Sequence, residues 1–176
     1  MSTYIFNWSF DVETASLYIG CATQKDMDEF IYPTNIENIH IAGDHIDHLI
    51  IPEGVLRVTC VPVGLKTIQL PESIILLYCN NNLLKCLNLP SGIETVIAKR
   101  NLIEKVIFRS EPTNLAILKL CDNTRLSHLD FTPPESFEVL KLKRCNGLYK
   151  NLRPALLDIA ANSLGKRQYI FSPVTI

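Results

Sequence analysis

An internal repeat constrains the fold of this chain more than any other feature of its sequence. The clearest unit begins at Ile74 and follows the spacing L-x-x-L-x-L-x-x-N-x-L-x-x-L-x-L-P. One such unit cannot bury its own apolar face, so the units are expected to stack and to share a core. Successive units are 19 residues apart at first and then 22 residues apart, and the six units begin at Ile36, Val55, Ile74, Ile93, Leu115 and Phe137.

The L-x-L segment of each unit indicates a short strand. Side chains alternate across a strand, so the apolar positions point into the core and the x positions point outward. Nineteen residues leave no room for a helix on the other side, which is therefore expected to be extended. Prolines support this because they fix φ and donate no hydrogen bond, and they recur at Pro33, Pro52, Pro71 and Pro90. The 22-residue units have room for a 3₁₀ turn.

This spacing resembles that of the leucine-rich repeat family over roughly residues 17–150. The 19-residue period and the terminal x-L-P are similar to the short repeats of bacterial-effector and viral types, and to half-repeats of some bacterial and protist surface proteins. The resemblance implies an α/β solenoid, mostly parallel β, curved into a right-handed arc. It also implies a non-catalytic module that binds a partner protein on its concave face. For the effector type, this would be a pathogen protein acting on host factors in the host cytoplasm.

The ninth position of the repeat carries a polar residue where the chain leaves the strand. Asn82, Asn101 and Asn123 occupy this position, and an amide there can satisfy both N–H and C=O groups of a buried turn. Cys145 takes the position in the last unit and is the alternative that the family accepts. Val63 cannot serve, and Asp44 could serve only as an acceptor, so we expect the ladder to be interrupted at the second unit.

Three regions follow from the repeat. Residues 1–35 are interpreted as an N-terminal cap with a degenerate first repeat, residues 36–150 as six repeats, and residues 151–176 as a C-terminal capping helix and tail. Two β-prone runs within residues 4–19 predict an N-terminal hairpin. Residues 152–164 predict an amphipathic helix, with Asn151 as its N-cap and Gly165 at its end.

The outward x positions define the candidate binding surface. An apolar patch with a charged rim is typical of a protein-binding surface; the alternative is that β-branched residues lie there because strands favour them. The predicted partner-binding residues are Arg57, Leu76, Tyr78, Ile97, Lys99, Ile117, Lys119, Val139, Lys141 and Lys143.

Charge is distributed unevenly along the chain. Residues 1–90 hold 10 acidic and 4 basic residues, whereas residues 91–176 hold 8 acidic and 13 basic residues, giving net charges of −6 and +5. Such polarity favours an acidic protein partner at the C-terminal half, although an ordinary solvated surface explains it nearly as well. Nucleic acid is not expected, because the basic column lacks interleaved aromatic residues for base stacking.

Other functional classes find little support in the sequence. No apolar run reaches the ~18 residues of a membrane helix, and the first residues lack a basic segment followed by an apolar one, so neither membrane nor secretion is expected. The six cysteines lack zinc-site spacing, which predicts free thiols in the cytoplasm. His45 and His48 are expected at the surface, and Cys121 and His128 on different sides of one unit. No enzyme motif is present, and neither a metal nor another cofactor is expected.

The C-terminal helix has two interpretations. Its Ala155, Leu156 and Leu164 match an elongin-binding box in which Ala160 replaces the usual cysteine. That resemblance implies the alternative function, a substrate receptor for a ubiquitin ligase that uses this helix as an adaptor-binding box. The simpler interpretation is a helix that covers the apolar face of the last repeat.

Overall fold

A computed structural model describes residues 6–43, 45–150 and 168–170 of the chain. It contains short strands, one short α-helix and one 3₁₀ turn. In chain order these are β1 (Asn7–Asp11), β2 (Ser16–Ala22), α1 (Gln24–Glu29), β3 (Asn38–Gly43), β4 (His48–Ile50), β5 (Arg57–Cys60), β6 (Thr67–Gln69), β7 (Leu76–Tyr78), β8 (Cys86–Leu89), β9 (Thr95–Ile97), β10 (Lys105–Phe108), β11 (Ile117–Lys119), β12 (His128–Leu129), β13 (Val139–Lys141), the 3₁₀ turn (Asn146–Lys150) and β14 (Gln168–Ile170).

The first strand of every repeat joins one nine-stranded sheet, in the order β1-β2-β3-β5-β7-β9-β11-β13-β14. From β2 to β14 all neighbours pair in parallel. Each strand pairs with its equivalent in the next repeat without a shift, so that Leu77, for example, lies opposite Val58 and Val96. The stacked parallel strands that the repeat predicts are therefore confirmed.

Short parallel strands also form on the other side of the coil. The second halves of the repeats make one sheet of β4 and β6 and another of β8, β10 and β12. The expectation of an extended second side is thus confirmed. Among the described residues, α1 is the single α-helix, so the described part is a mostly parallel β-solenoid, as predicted, and the helical part of the predicted α/β class is not shown.

The core consists of columns of equivalent apolar side chains. The first, fourth and sixth positions of all six repeats are buried, including Ile74, Leu77 and Cys79, each fully inaccessible to solvent. The second halves contribute further columns, in which Leu84 and Leu87 are equally buried. Burial of about 25 cal/mol per Å² of apolar surface makes this shared core the main source of stability.

The N-terminal hairpin differs in one respect from the prediction. β1 pairs antiparallel with β2, as a hairpin requires, but β2 also pairs in parallel with β3 and so serves as the first strand of the solenoid. The chain then forms α1 in place of a strand on the second side. Thr23 and Asp26 begin this helix with a capping box, each side chain bonding the backbone N–H of the other residue.

The C-terminal region is described only in part. The predicted helix over residues 152–164 lies outside the described residues. β14 pairs in parallel with β13 and so extends the sheet beyond the sixth repeat. The 22-residue units form no 3₁₀ turn; bends and turns at residues 109–114 and 130–136 take up their extra length.

Buried side chains at the ninth position hydrogen-bond to the preceding coil. Asn82 accepts the N–H groups of Val63 and Leu65, both at 3.1 Å, and donates to the Cys60 carbonyl at 2.9 Å. Asn101 repeats this arrangement one coil later, accepting from the Leu84 N–H. These bonds cross between coils, so each amide both satisfies a buried turn and ties two repeats together.

The ladder continues to the last repeat. Asn123 accepts the N–H of Ile103 at 3.1 Å and donates to the carbonyl of Ala98 at 2.8 Å. The Cys145 thiol donates to the Leu120 carbonyl at 3.1 Å, so a single donor replaces the amide. All four ladder residues predicted from the sequence therefore bond backbone groups of the coil before them.

The corner of each coil contains a residue with left-handed backbone angles. In the third to sixth repeats this residue immediately precedes the ladder position. In the first two repeats it immediately follows the ladder position, at His45 and Gly64. The shift coincides with the repeats that lack a ladder asparagine. The four earlier-placed residues, with their φ angles, are Asn81 (57°), Arg100 (54°), Asp122 (65°) and Arg144 (60°).

Three cysteines belong to the core and differ in character from those at the surface. Burial raises the pKa of Cys60 to about 12 and raises that of Cys79 well above its ordinary value. Burial also raises the pKa of Cys145 to about 12. The five described cysteines outside β2 are free thiols, and Cys86 among them is exposed. Only a thiolate is an effective nucleophile, so the buried three should be unreactive in the folded protein.

The asparagine ladder predicts a large effect of a single amide. Asn101→Ala should lower the free energy of unfolding by about 3 kcal/mol. It leaves the buried N–H of Leu84 without its partner and removes the shorter of the two side-chain hydrogen bonds to the Cys79 carbonyl, to which Asn82 also donates. Urea denaturation followed by circular dichroism measures this. The exposed Asn114 supplies the control, since Asn114→Ala should stay within about 0.5 kcal/mol. Equal denaturation midpoints for the two variants would contradict the ladder's role.

The cysteines predict a pattern of alkylation. With iodoacetamide at pH 8, Cys86 should be modified in the folded protein, whereas Cys60, Cys79 and Cys145 should be modified only after denaturation. At this pH a thiol with a pKa of about 12, as for Cys60 and Cys145, is almost wholly protonated. Mass spectrometry of the digested protein reports each site separately. Modification of Cys60 as fast as Cys86 would show that the core opens.

Candidate functional site

The outward side chains of the nine-stranded sheet form the candidate site, which we call the long-sheet surface. Eight of the ten residues predicted to bind a partner lie on it within the strands β5, β7, β9, β11 and β13, and Lys99 and Lys143 lie two residues beyond the ends of β9 and β13. They alternate with fully buried neighbours such as Leu118. The parallel register aligns them in two rows across the coils. One row runs Asn38, Arg57, Leu76, Thr95, Ile117, Val139, and the other runs His40, Thr59, Tyr78, Ile97, Lys119, Lys141.

An apolar patch crosses the middle of this surface. Tyr78 lies directly opposite Ile97 in the neighbouring strand, and Ile117 lies opposite Val139. Ile97 and Ile117 are diagonal neighbours, since Ile97 faces Lys119 two residues further along β11. Each of these apolar side chains, like Leu76, is half-buried. The patch is therefore contiguous and partly open to solvent.

The charged side chains of the long-sheet surface all have one sign. In the two rows and at the positions two residues after the second row, the described residues between 38 and 143 include five bases and no acid. Four of the five bases lie in the fourth to sixth repeats, so the charge is concentrated at the C-terminal end of the apolar patch. The five bases are Arg57, Lys99, Lys119, Lys141 and Lys143.

Asp122 is an acidic residue at the corner beyond these lysines. Asp122 pairs with Arg144 at 2.5 Å and with Arg100 at 3.9 Å. All three residues have left-handed backbone angles and occupy equivalent positions in successive repeats. The charges of Arg100 and Arg144 at this corner are therefore partly neutralised.

A cleft at the N-terminal end of the same surface was missed by sequence reasoning. It encloses about 600 Å³ and is lined by residues of β1, β2, β3 and β5. The rings of Tyr18 and His40 stack across it, 4.8 Å apart with 9° between their planes. Trp8 at its edge is 51% exposed. The sequence carries a signal for this cleft, because Ser16-Leu-Tyr-Ile has the same alternation as the repeat strands. The interpretation of residues 4–19 as a separate cap left this strand out of the predicted sheet.

The residues considered for metal binding or catalysis are dispersed. His45 and His48 are exposed on the second side, where the Nδ1 atom of His48 lies 2.7 Å from the Thr67 hydroxyl. Cys121 lies beside the long-sheet surface and His128 in β12 on the opposite side. Within the described ranges, no three histidine, cysteine or acidic residues group as metal ligands. In the same ranges no helix has the length and apolarity to cross a membrane.

Comparison with known proteins assigns the chain to no group. No family model matches the sequence, no curated protein resembles it, and no solved structure matches its fold. The arguments about function therefore depend on the chemistry of the long-sheet surface.

Proposed function

We propose that this protein is a non-catalytic binding module of the leucine-rich repeat type, and that it binds a partner protein on the long-sheet surface. The observation that carries the proposal is the contiguous, half-exposed apolar patch formed by Tyr78, Ile97, Ile117 and Val139. Patches of this kind with a polar rim are typical of protein interfaces, where aromatic and aliphatic side chains anchor the contact.

The leucine-rich repeat assignment is supported by two independent features. One is the sequence spacing, with buried residues at its first, fourth and sixth positions. The other is the amide ladder of Asn82, Asn101 and Asn123, which bonds to backbone groups of the preceding coil. The short repeat length favours the effector-like type, and on that basis we propose that the protein acts on host factors in the cytoplasm.

Binding is favoured over catalysis by the chemical character of the surface. Its centre offers aliphatic and tyrosine side chains, and its C-terminal part offers lysines. The fold places Cys121 and His128 on different sides of the coil. Aliphatic anchors that stand on rigid, in-register strands lose little conformational entropy on binding, which favours affinity.

The double variant Tyr78→Glu/Ile97→Glu tests this proposal. It places two charges in the centre of the patch, where a bound partner would have to desolvate them. We expect it to reduce the capture of specific partners from cell lysate at least tenfold, as measured by quantitative mass spectrometry. The milder variant Tyr78→Ala/Ile97→Ala should also weaken capture, with less effect on folding.

A matched control comes from the second side of the coil. Ile50 and Ile107 are 66% and 44% exposed, so Ile50→Glu/Ile107→Glu adds the same charge on the opposite surface. This variant should retain the partners. All variants must first show cooperative thermal unfolding. Equal capture by the Tyr78/Ile97 variants and the wild-type chain would refute the proposal.

A further inference from the structure

Three consecutive coils of the long-sheet surface present the same pair of side chains. In each pair an aliphatic residue is followed two positions later by a lysine on the same face. The pairs are Ile97 with Lys99, Ile117 with Lys119, and Val139 with Lys141. The register places Ile97 beside Lys119 and Ile117 beside Val139, so Ile97, Ile117 and Val139 form a diagonal band, which we call the aliphatic band. Lys119 and Lys141 continue the row of Ile97, and Lys99 and Lys143 follow two residues after Ile97 and Lys141, about 6.6 Å along their strands. These four lysines form a cationic band that borders the aliphatic band across the fourth to sixth repeats.

The arrangement of the lysines in the cationic band is electrostatically unfavourable for the free protein. Lys119 and Lys141 are direct partners in the parallel register, about 4.8 Å apart in backbone spacing, and like charges opposite each other destabilise a sheet. Within the described part of the chain, the ion pairs involve other cations, and none of Lys99, Lys119, Lys141 and Lys143 has a carboxylate within ion-pair distance. The net charge of the whole chain is only −1, so this concentration of charge is local.

We infer that these two bands bind an acidic, amphipathic segment of a protein partner. Its carboxylates would lie on Lys99, Lys119, Lys141 and Lys143, and its apolar side chains on Ile97, Ile117 and Val139. This inference rests on the proposed function and adds the chemistry and position of the partner. The neighbouring arginines are less suited to the role, because Asp122 already pairs with both.

The aliphatic band favours a peptide ligand over nucleic acid. Single-stranded nucleic acid binds through a basic groove together with aromatic side chains on which its bases stack. Here the side chains beside the lysines are isoleucine and valine. Apolar side chains of a peptide suit these residues, and its carboxylates complement the lysines, which also steers the encounter.

The inference predicts that one double variant weakens binding and stabilises the free protein. The probe is a fluorescein-labelled peptide of three Glu-Glu-Leu-Leu repeats, measured by anisotropy at low and physiological salt. Lys119→Gln/Lys141→Gln should weaken its binding about tenfold or more, with a smaller dependence on salt. The same variant should raise the Tm by about 1–3 °C, because it removes the repulsion between neighbouring lysines.

The control variant removes the same charge from the other side of the coil. Lys85 and Lys105 are exposed on the second side, so Lys85→Gln/Lys105→Gln produces the same net charge and should change the affinity less than twofold. A peptide with glutamine in place of glutamate should bind at least tenfold more weakly than the probe. Equal loss of affinity in the two lysine variants would show that only net charge matters and would overturn the inference.

Two further results separate this inference from the proposed function. Tighter binding of a 12-nucleotide oligouridine than of the acidic peptide would overturn the inference in favour of nucleic acid. Absence of binding to the acidic peptide, with partner capture that still depends on Tyr78 and Ile97, would overturn the inference and leave the proposed function standing. Loss of that dependence would remove both.

Discussion

Satisfaction of backbone hydrogen bonds at the buried corner of each coil is the constraint on which this solenoid depends. The chain must turn sharply where it leaves the long sheet, and the groups of that turn are shut off from water. Asn82, Asn101 and Asn123 meet the requirement by bonding backward to the preceding coil, and Cys145 does so with a single donor. Because each bond crosses between coils, the same interaction that closes one corner also sets the distance and register of the next strand.

That register has opposite consequences for the two faces of the sheet. Facing inward, equivalent positions stack apolar on apolar, as Leu77 on Val96, and each contact adds to the core. Facing outward, the same stacking brings equivalent side chains together whether or not they attract, as with Lys119 and Lys141. The identity of the inward residues is therefore explained by stability. The identity of the outward residues is not explained by stability.

The candidate site could be predicted from sequence to the extent that it follows the strand alternation. The prediction that ten outward residues share one surface follows from a period of two, which determines which side chains share a face. The contribution of the hairpin to this surface was missed, because strand alternation alone does not show that β2 pairs in parallel with β3 as well as antiparallel with β1. The pairing of Asp122 with Arg100 and Arg144 was also missed, since it depends on corner geometry that brings residues 22 positions apart together.

By itself, the sequence determined the spacing of the repeat strands, the buried columns and the ladder positions, because all three follow from a spacing that repeats along the chain. The tertiary structure decided what a local pattern leaves open. In the folded chain, short strands pair on the second side, β2 pairs with both β1 and β3, and α1 begins at the capping box of Thr23 and Asp26. The left-handed corner residue also changes position in the repeats without a ladder asparagine. The physical reason is that periodicity specifies which side chains are buried, whereas the course of the turns depends on which backbone groups of the neighbouring coil remain to be bonded.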